Sequence, residues 1–589
     1  MSSKPAKGKS KRETCATERS PATRSRPLEW SQTRLAATLG LVILATLFAY
    51  APALRGPFVF DDRYLPFNDP NLQSRPVQDW LNSNRPLLMF TFWVNYRISE
   101  LSPFSYHLLN VLLHLLTAVL VYRLVRHFVE RVGTPQTNAQ AIALFAAGVF
   151  ALHPLHTEAV SYVASRSEAL SVCLAYAALT LLALAPKKEV SWRRALAIVC
   201  LFGAAVATKE HTAALPAALL LTDVWWADSG RLRAILRNWR LYLLLAGAGA
   251  IGLAWVWKIL SVSESAGFQV AGLPWNDYLY TQLQALWIYL RMFFLPYGQN
   301  IDHDYPIAHS FWNPATVAGA AGLVVLTIVG FLSRHRFKLA VYGLLLFGLL
   351  IAPTSSFVPI RDALVERRLY LPSLGLLLVV ADLLRRWRTS LTRQGWTYGF
   401  ILLGLCGLTY ARNHVWTSEI ALWEDSVRKN PRNPRAHFHL GYAHYLAGHC
   451  DQALGHFQQA AQLQAPDYRL LVDWALALDC AGRPEEAIAR LRQALAMEPH
   501  GHGWALLGML YGKQGRYAEA LEALARAEAM APRFAMTYVY RGNVYAAQGE
   551  LLQAVEQYRR ALAIDPELDV ARRALQVVQS RLSRLAGAR

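Results

Sequence analysis

The sequence predicts an all-α protein in two parts, a polytopic bundle of membrane helices followed by a solenoid of short helix pairs. Three observations carry this: long apolar runs up to about residue 411, basic clusters in the loops between them, and a regular period of small residues afterwards. Of 589 residues, 54% are hydrophobic and only 17% charged, too apolar for a string of soluble domains. The formal charge of +20 sits largely in the N-terminal tail and in short loops. Membrane topology accounts for that placement; nucleic-acid binding does not.

Residues 1–33, rich in Lys, Arg, Ser and Pro, are expected to form a disordered basic cytoplasmic tail, too long and polar to open a cleaved signal peptide. Residues 34–411 then form the membrane domain. Apolar runs near 35–54, 106–128, 140–153, 168–185, 193–208, 212–226, 241–260, 277–296, 315–333, 337–356, 368–384 and 395–411 are measured against the ~20 residues that span a bilayer. The basic clusters are Arg123/Arg126/Arg131, Lys187/Lys188/Arg193/Arg194, Arg231/Arg233/Arg237/Arg240, Arg334/Arg336/Lys338 and Arg385/Arg386/Arg388/Arg393. All lie in the cytoplasm if 277–296 does not cross, and its Gln282, Gln284 and Arg291 suit lipid poorly. About eleven crossings result, with the N-terminus inside and the C-terminus outside. The loop 55–105, segment 153–166, the turn at Lys209, loop 299–314 and segment 353–370 then share the outer face.

A linker and partial repeat, 412–433, lead to residues 434–589. There Ala453, Ala487, Ala520 and Ala554 recur at steps of 34, 33 and 34, and Ala460, Ala494, Ala527 and Ala561 keep the same steps. Gly441, Ala475, Gly508 and Gly542 mark each first helix, and Pro466, Pro499, Pro532 and Pro566 close each second one. This is the tetratricopeptide pattern, whose superhelix offers a concave groove for an extended polypeptide. Tyr442, Tyr445, Asp479, Lys513 and Asn543 fall at groove-facing positions. Cys450 and Cys480 share one rim, and whether they bond is open. Cys173, Cys200 and Cys406 read as core residues, and no cysteine spacing indicates zinc.

Three outer-face clusters carry candidate chemistry. Asp61-Asp62 supplies adjacent carboxylates, either a general base with its partner or an acidic helix cap. His153, His156 and Glu158, with Arg166 after them, suit a phosphate, sugar hydroxyls or a metal, or are helix-end polar residues. Lys209 and Arg367 are natural partners of a lipid phosphate, or pair with neighbouring glutamates.

Together FVFDDRYLPFNDPNL, RPLLMFTFWVNY with PFSYHLLNVLLHLL, ALHPLHTEAVSYVASRSEAL, TKEHT and ERRLYLPSLGLLL, ahead of the repeats, resemble the transmembrane and tetratricopeptide-repeat O-mannosyltransferases and their bacterial relatives. The resemblance covers nearly everything after the basic tail. It implies a C-type glycosyltransferase fold, with Asp61 as base and Asp62 as alternative or partner. Arg367 matches the Arg of the ERxLYxPS motif and, with Lys209, Arg166, His153, His156 and Glu158, makes up the candidate donor and phosphate site. Arg368 departs from the family's usual apolar residue. The implied partners are a polyprenyl-phosphate-linked sugar, by default mannose, the lipid bilayer, and protein acceptors held at Tyr442, Tyr445, Asp479, Lys513 and Asn543. No nucleic acid and no required cofactor are implied; a divalent cation at Asp61 and Asp62 stays open. The Ala/Leu/Arg-rich character points to a bacterial inner membrane with periplasmic repeats, or an endoplasmic-reticulum membrane in a eukaryote. The competing reading is a non-catalytic membrane scaffold whose repeats recruit envelope proteins.

Overall fold

The computed structural model describes residues 2–3, 32–73, 75–185, 189–227 and 231–587. Almost all of the expected basic tail, together with Lys187 and Lys188, lies outside the described residues. Every apolar run is occupied by a helix, from Gln32–Tyr50 to Leu391–His414. Among the described residues, five helices are long and apolar enough to cross a bilayer: Thr33–Tyr50, Pro103–Arg131, Val163–Ala183, Trp239–Val262 and Pro314–Ser333. A sixth crossing results if Gln136–Leu152 and Pro154–Ser161, bent by 48°, form one span. Ile251, Leu253, Ile328 and Leu332 are exposed on these helices, as lipid contact requires. Cys173 and Cys406 are buried as expected, but Cys200 is exposed on the helix Trp192–Val206.

Shorter helices are held by close packing. Lys338–Ile351 lies against Ser373–Leu384 so tightly that a methyl group at Gly343 or Gly375 would sit 2.4 Å from the other's carbonyl oxygen. Small residues permit such approach where water supplies no hydrophobic driving force.

Basic loops from distant parts of the chain meet at one end of the bundle. Arg131 donates to the Trp226 carbonyl, Lys338 lies 4.8 Å from the centre of the Trp226 ring, and Arg386 stacks at 4.2 Å on Phe337. Segments 299–305 and 361–367 gather elsewhere, against Lys429, Asn430, Asn433 and Arg435 at the start of the repeats, and Glu158 joins them through Arg367. The helix Trp275–Phe294 follows these segments along its length. The Tyr278 hydroxyl donates to the Thr354 carbonyl at 2.6 Å, Gln282 to Ala363 at 2.8 Å, and the Val365 N–H to the Tyr289 hydroxyl at 3.0 Å. At its last turn the Phe293 carbonyl accepts from His153 at 2.9 Å. These bonds tie the helix to protein along roughly 22 Å of its length, as suits a polar-faced helix buried in protein. A reporter-fusion or cysteine-accessibility map should place the repeats outside and Arg334 in the cytoplasm. A cytoplasmic C-terminus with Arg334 outside would mean that Trp275–Phe294 crosses.

The repeats form four helix pairs, Pro434–Leu446 with Cys450–Leu463, Tyr468–Cys480 with Pro484–Met497, Gly501–Lys513 with Tyr517–Met530, and Ala535–Gln548 with Leu551–Ile564. Glu419–Lys429 precedes them and Asp569–Gly587 closes the array. The periodic alanines are at most 2% exposed, because they sit where paired helices touch. The turn within each pair places Gly448, Gly482, Gly515 or Gly549 at φ between +72° and +85°, a left-handed conformation that favours glycine.

Cys450 and Cys480 are bonded, with Cα atoms 5.8 Å apart and a sequence separation of 30. Closing a loop of that length contributes about 3–4 kcal/mol. Reduction, or Cys450→Ser, should therefore lower the melting temperature of the repeats; a melt insensitive to both would show that the bond adds nothing. Ion pairs anchor the solenoid to the bundle. Arg435 reaches both oxygens of Asp302 at 2.5 Å and Asp362 at 2.9 Å, and Arg412 meets Asp425 at 2.6 Å.

Candidate functional site

The loop 55–105 turns through a short 3-10 helix, Phe60–Tyr64. Phe60 adopts φ +52°, costly for a bulky residue and sustained only where the surroundings hold it. Its ring packs at 6.3 Å from Tyr162, 5.3 Å from Trp423 and 5.0 Å from His439, between centroids. The paired aspartates that follow have different surroundings. Asp62 is fully buried; one carboxyl oxygen accepts the Ala164 N–H at 2.6 Å and the other the Val59 N–H at 3.2 Å. Burial, only partly opposed by those donors, pushes its pKa up to about 8. Asp61 is exposed, and its backbone N–H donates to the Tyr162 hydroxyl at 3.0 Å. Asp62 therefore fastens the loop, and Asp61 presents a carboxylate to solvent.

Cations collect nearby around buried carboxylates. Arg367 pairs with Glu158 through its guanidinium, and its backbone N–H donates to the same carboxylate at 3.0 Å. Lys209 pairs with Glu168, whose second oxygen lies 3.3 Å from His211, and Arg85 grips Glu210 bidentately at 2.9 and 3.0 Å. Burial holds the Lys209 ammonium below its usual range, against the pull of Glu168, with Arg367 and Arg85 adding like-charge repulsion. Tyr162 feels both Asp61 and Arg367, and burial drives its hydroxyl well above the usual range. The sequence reading assigned Lys209, Arg367 and Glu158 but no role to Arg85, Glu168 or His211. The adjacent signals were NRPL, SRSE and KEHT.

Three of the expected donor residues are buried and paired within the protein. Arg166 is fully buried, donating to Asn110 at 2.9 Å, Asn95 at 2.8 Å and the Tyr106 carbonyl at 3.1 Å, with its guanidinium 4.4 Å from the Phe92 ring centre. His153 uses both ring nitrogens on backbone, the Phe293 carbonyl at 2.9 Å and the Leu155 N–H at 3.2 Å. His156 bonds the Phe150 carbonyl at 2.8 Å and lies 5.0 Å from Tyr370, within an aromatic core. Their burial and pairing are invisible in their spacing, and His156 Nε2 alone among these ring nitrogens is buried without a partner. Among the described residues no group of three or more His, Cys, Asp or Glu is arranged to hold a metal.

On the repeats, Tyr442 lies under the Arg63 guanidinium at 5.5 Å and 6.4 Å from Tyr445. Lys513 crosses to Asp479 at 2.6 Å, and Asn543 accepts from the Tyr558 hydroxyl at 2.7 Å. Lys513 and Asn543 line a pocket with Met509 and Tyr540. The expected groove residues therefore lie along one array of first helices, with Tyr442 at its membrane end.

The tetratricopeptide repeat family matches residues 420–468 and 505–569. The chain is 25% identical over 450 residues to a protein O-mannosyl-transferase of Caenorhabditis elegans, covering 72% of this chain and 62% of that one. It is 25% identical over 520 residues to protein O-mannosyl-transferase TMTC3 of Mus musculus, covering 78% and 55%. The chain thus spans little more than half the length of the curated relatives it matches. Among solved structures, YrrB, a TPR protein with an unusual peptide-binding site, is 19% identical with a TM-score of 0.24, over 31% of this chain and 89% of that one.

Proposed function

We propose, from the premise that this chain belongs to the family of transmembrane, tetratricopeptide-repeat protein O-mannosyl-transferases, that it moves a sugar from a polyprenyl-phosphate donor to Ser or Thr hydroxyls of proteins. Mannose is the default, another hexose the alternative, and the outer face, periplasmic in a bacterium, is the site of transfer. The observation that carries this reading is the convergence of three parts: an exposed Asp61, a cation group at Arg367 and Lys209, and the end of the repeat groove.

The chemistry follows from those parts. The acceptor hydroxyl oxygen attacks the anomeric carbon and its proton passes to Asp61. The bond from that carbon to the phosphate oxygen breaks, and the polyprenyl phosphate leaves with the electron pair, its added charge met by Arg367 and Lys209. One displacement inverts the anomeric centre. The buried glutamates keep the cations in place before the donor arrives, so little reorganisation is needed at transfer.

The test is the purified chain with a polyprenyl-phosphate mannose and an unfolded Ser/Thr polypeptide, followed by intact mass. A gain of one hexose is expected by mass, with the inverted linkage read by anomer-specific glycosidase digestion. Capture of the polypeptide with no hexose gained from any lipid-linked sugar would favour the scaffold.

A further inference from the structure

The catalytic loop and the repeats are in direct contact. Arg63 pairs with Glu419, in the helix preceding the first full repeat, and lies over Tyr442 at 5.5 Å. Tyr64, 71% exposed, accepts a hydrogen bond from Arg469 of the second repeat at 2.9 Å. Phe60, immediately before Asp61, packs on Trp423 and His439. Residues on both sides of the candidate base therefore touch the solenoid, and Arg63 and Tyr64 touch the residues that open its groove.

We propose that Arg63 and Tyr64 are acceptor-positioning residues: with Tyr442, Tyr445 and Arg469 they form the last subsite of the groove, which delivers an extended polypeptide to Asp61. This rests on the transferase reading above. An extended segment is the fitting occupant because the loop walls the end of the groove. It leaves two guanidinium groups and three tyrosines, planar groups that stack on side chains and hydrogen-bond a peptide backbone. A concave helix array binds such segments along its length, and here its end coincides with the base. The repeats thereby select acceptors with an extended segment on the groove side of the modified hydroxyl.

The full chain in lipid nanodiscs is titrated with a fluorescent, unstructured Ser/Thr-containing polypeptide, with binding followed by anisotropy. Tyr442→Ala, Tyr64→Ala and Arg469→Gln should each weaken binding by about tenfold, the usual scale of an interface residue that matters. In transfer assays the same substitutions should raise the acceptor KM and preserve kcat, with Tyr442→Phe restoring most of the loss. A merely structural role would lower kcat or the melting temperature instead. Wild-type affinity in Tyr64→Ala, while Tyr442→Ala binds weakly, would end the groove short of the loop and overturn the proposal. If the wild-type chain binds the polypeptide through these residues but transfers no sugar, the transferase reading fails and the subsite stands. If it does not bind the polypeptide, the subsite fails whatever transfer shows.

Discussion

Asp61→Asn is expected to lower sugar transfer by a factor on the order of a hundred or more while the fold survives. The side chain is exposed, the Asp61 backbone N–H donates to the Tyr162 hydroxyl, and that hydroxyl can still donate to the side-chain oxygen an amide retains, so the loop keeps its anchors. It removes the one property the mechanism needs, a basic oxygen beside the attacking hydroxyl. The comparison is transfer by purified wild type and variant with the same lipid-linked sugar and polypeptide, with donor binding and melting temperature as controls. Transfer by the Asp61→Asn/Asp62→Asn double mutant would rule out this mechanism.

Asp62→Asn is expected to lose activity by another route, through the loop it holds. An amide would turn its NH2 toward either the Val59 or the Ala164 N–H, setting donor against donor in a buried place at a cost of about 1–3 kcal/mol. The melting temperature should fall with activity, whereas Asp61→Asn should lose activity alone. The pH dependence gives a second signature. Burial raises the Asp62 pKa in the folded chain to about 8, from an ordinary value near 4. Between those values the folded chain holds a proton that the unfolded chain releases. This contribution to stability is complete below about pH 4 and declines as pH rises toward 8. Asp62→Asn should flatten that part of the stability profile. A variant as stable as wild type, with an unchanged profile and no transfer, would instead make Asp62 the base.

That the polar segments at 55–105, 153–166, 209, 299–314 and 353–370 belong together was legible in the sequence, and the structure joins them through contacts such as Asp62 with Ala164, Lys209 with Glu168 and Glu366 with Asn300. Of the two readings of Lys209 and Arg367, the structure shows glutamate pairing, though with distant partners rather than the sequence neighbours Glu210 and Glu366: Arg367 with Glu158 and Lys209 with Glu168. The surroundings of Arg166 could not be read from its place in the sequence. A charged residue at the mouth of a helix suggests a ligand, but this one is enclosed by Asn95, Asn110, Tyr106 and Phe92.

The sequence by itself determined where the helices run, that repeats follow the bundle, which residues of each repeat touch, and which polar segments belong together. Each is a property of one segment or of a short period: apolar length, loop charge and recurring small residues survive whatever the segment packs against. Only the tertiary structure decided which of two adjacent aspartates is buried, which cations are paired, and that the base loop rests on the repeats. Asp62 is held by a backbone group 102 residues away and Arg367 by a carboxylate 209 residues away. Burial and ion pairing belong to the meeting of such distant segments, so no local pattern records them.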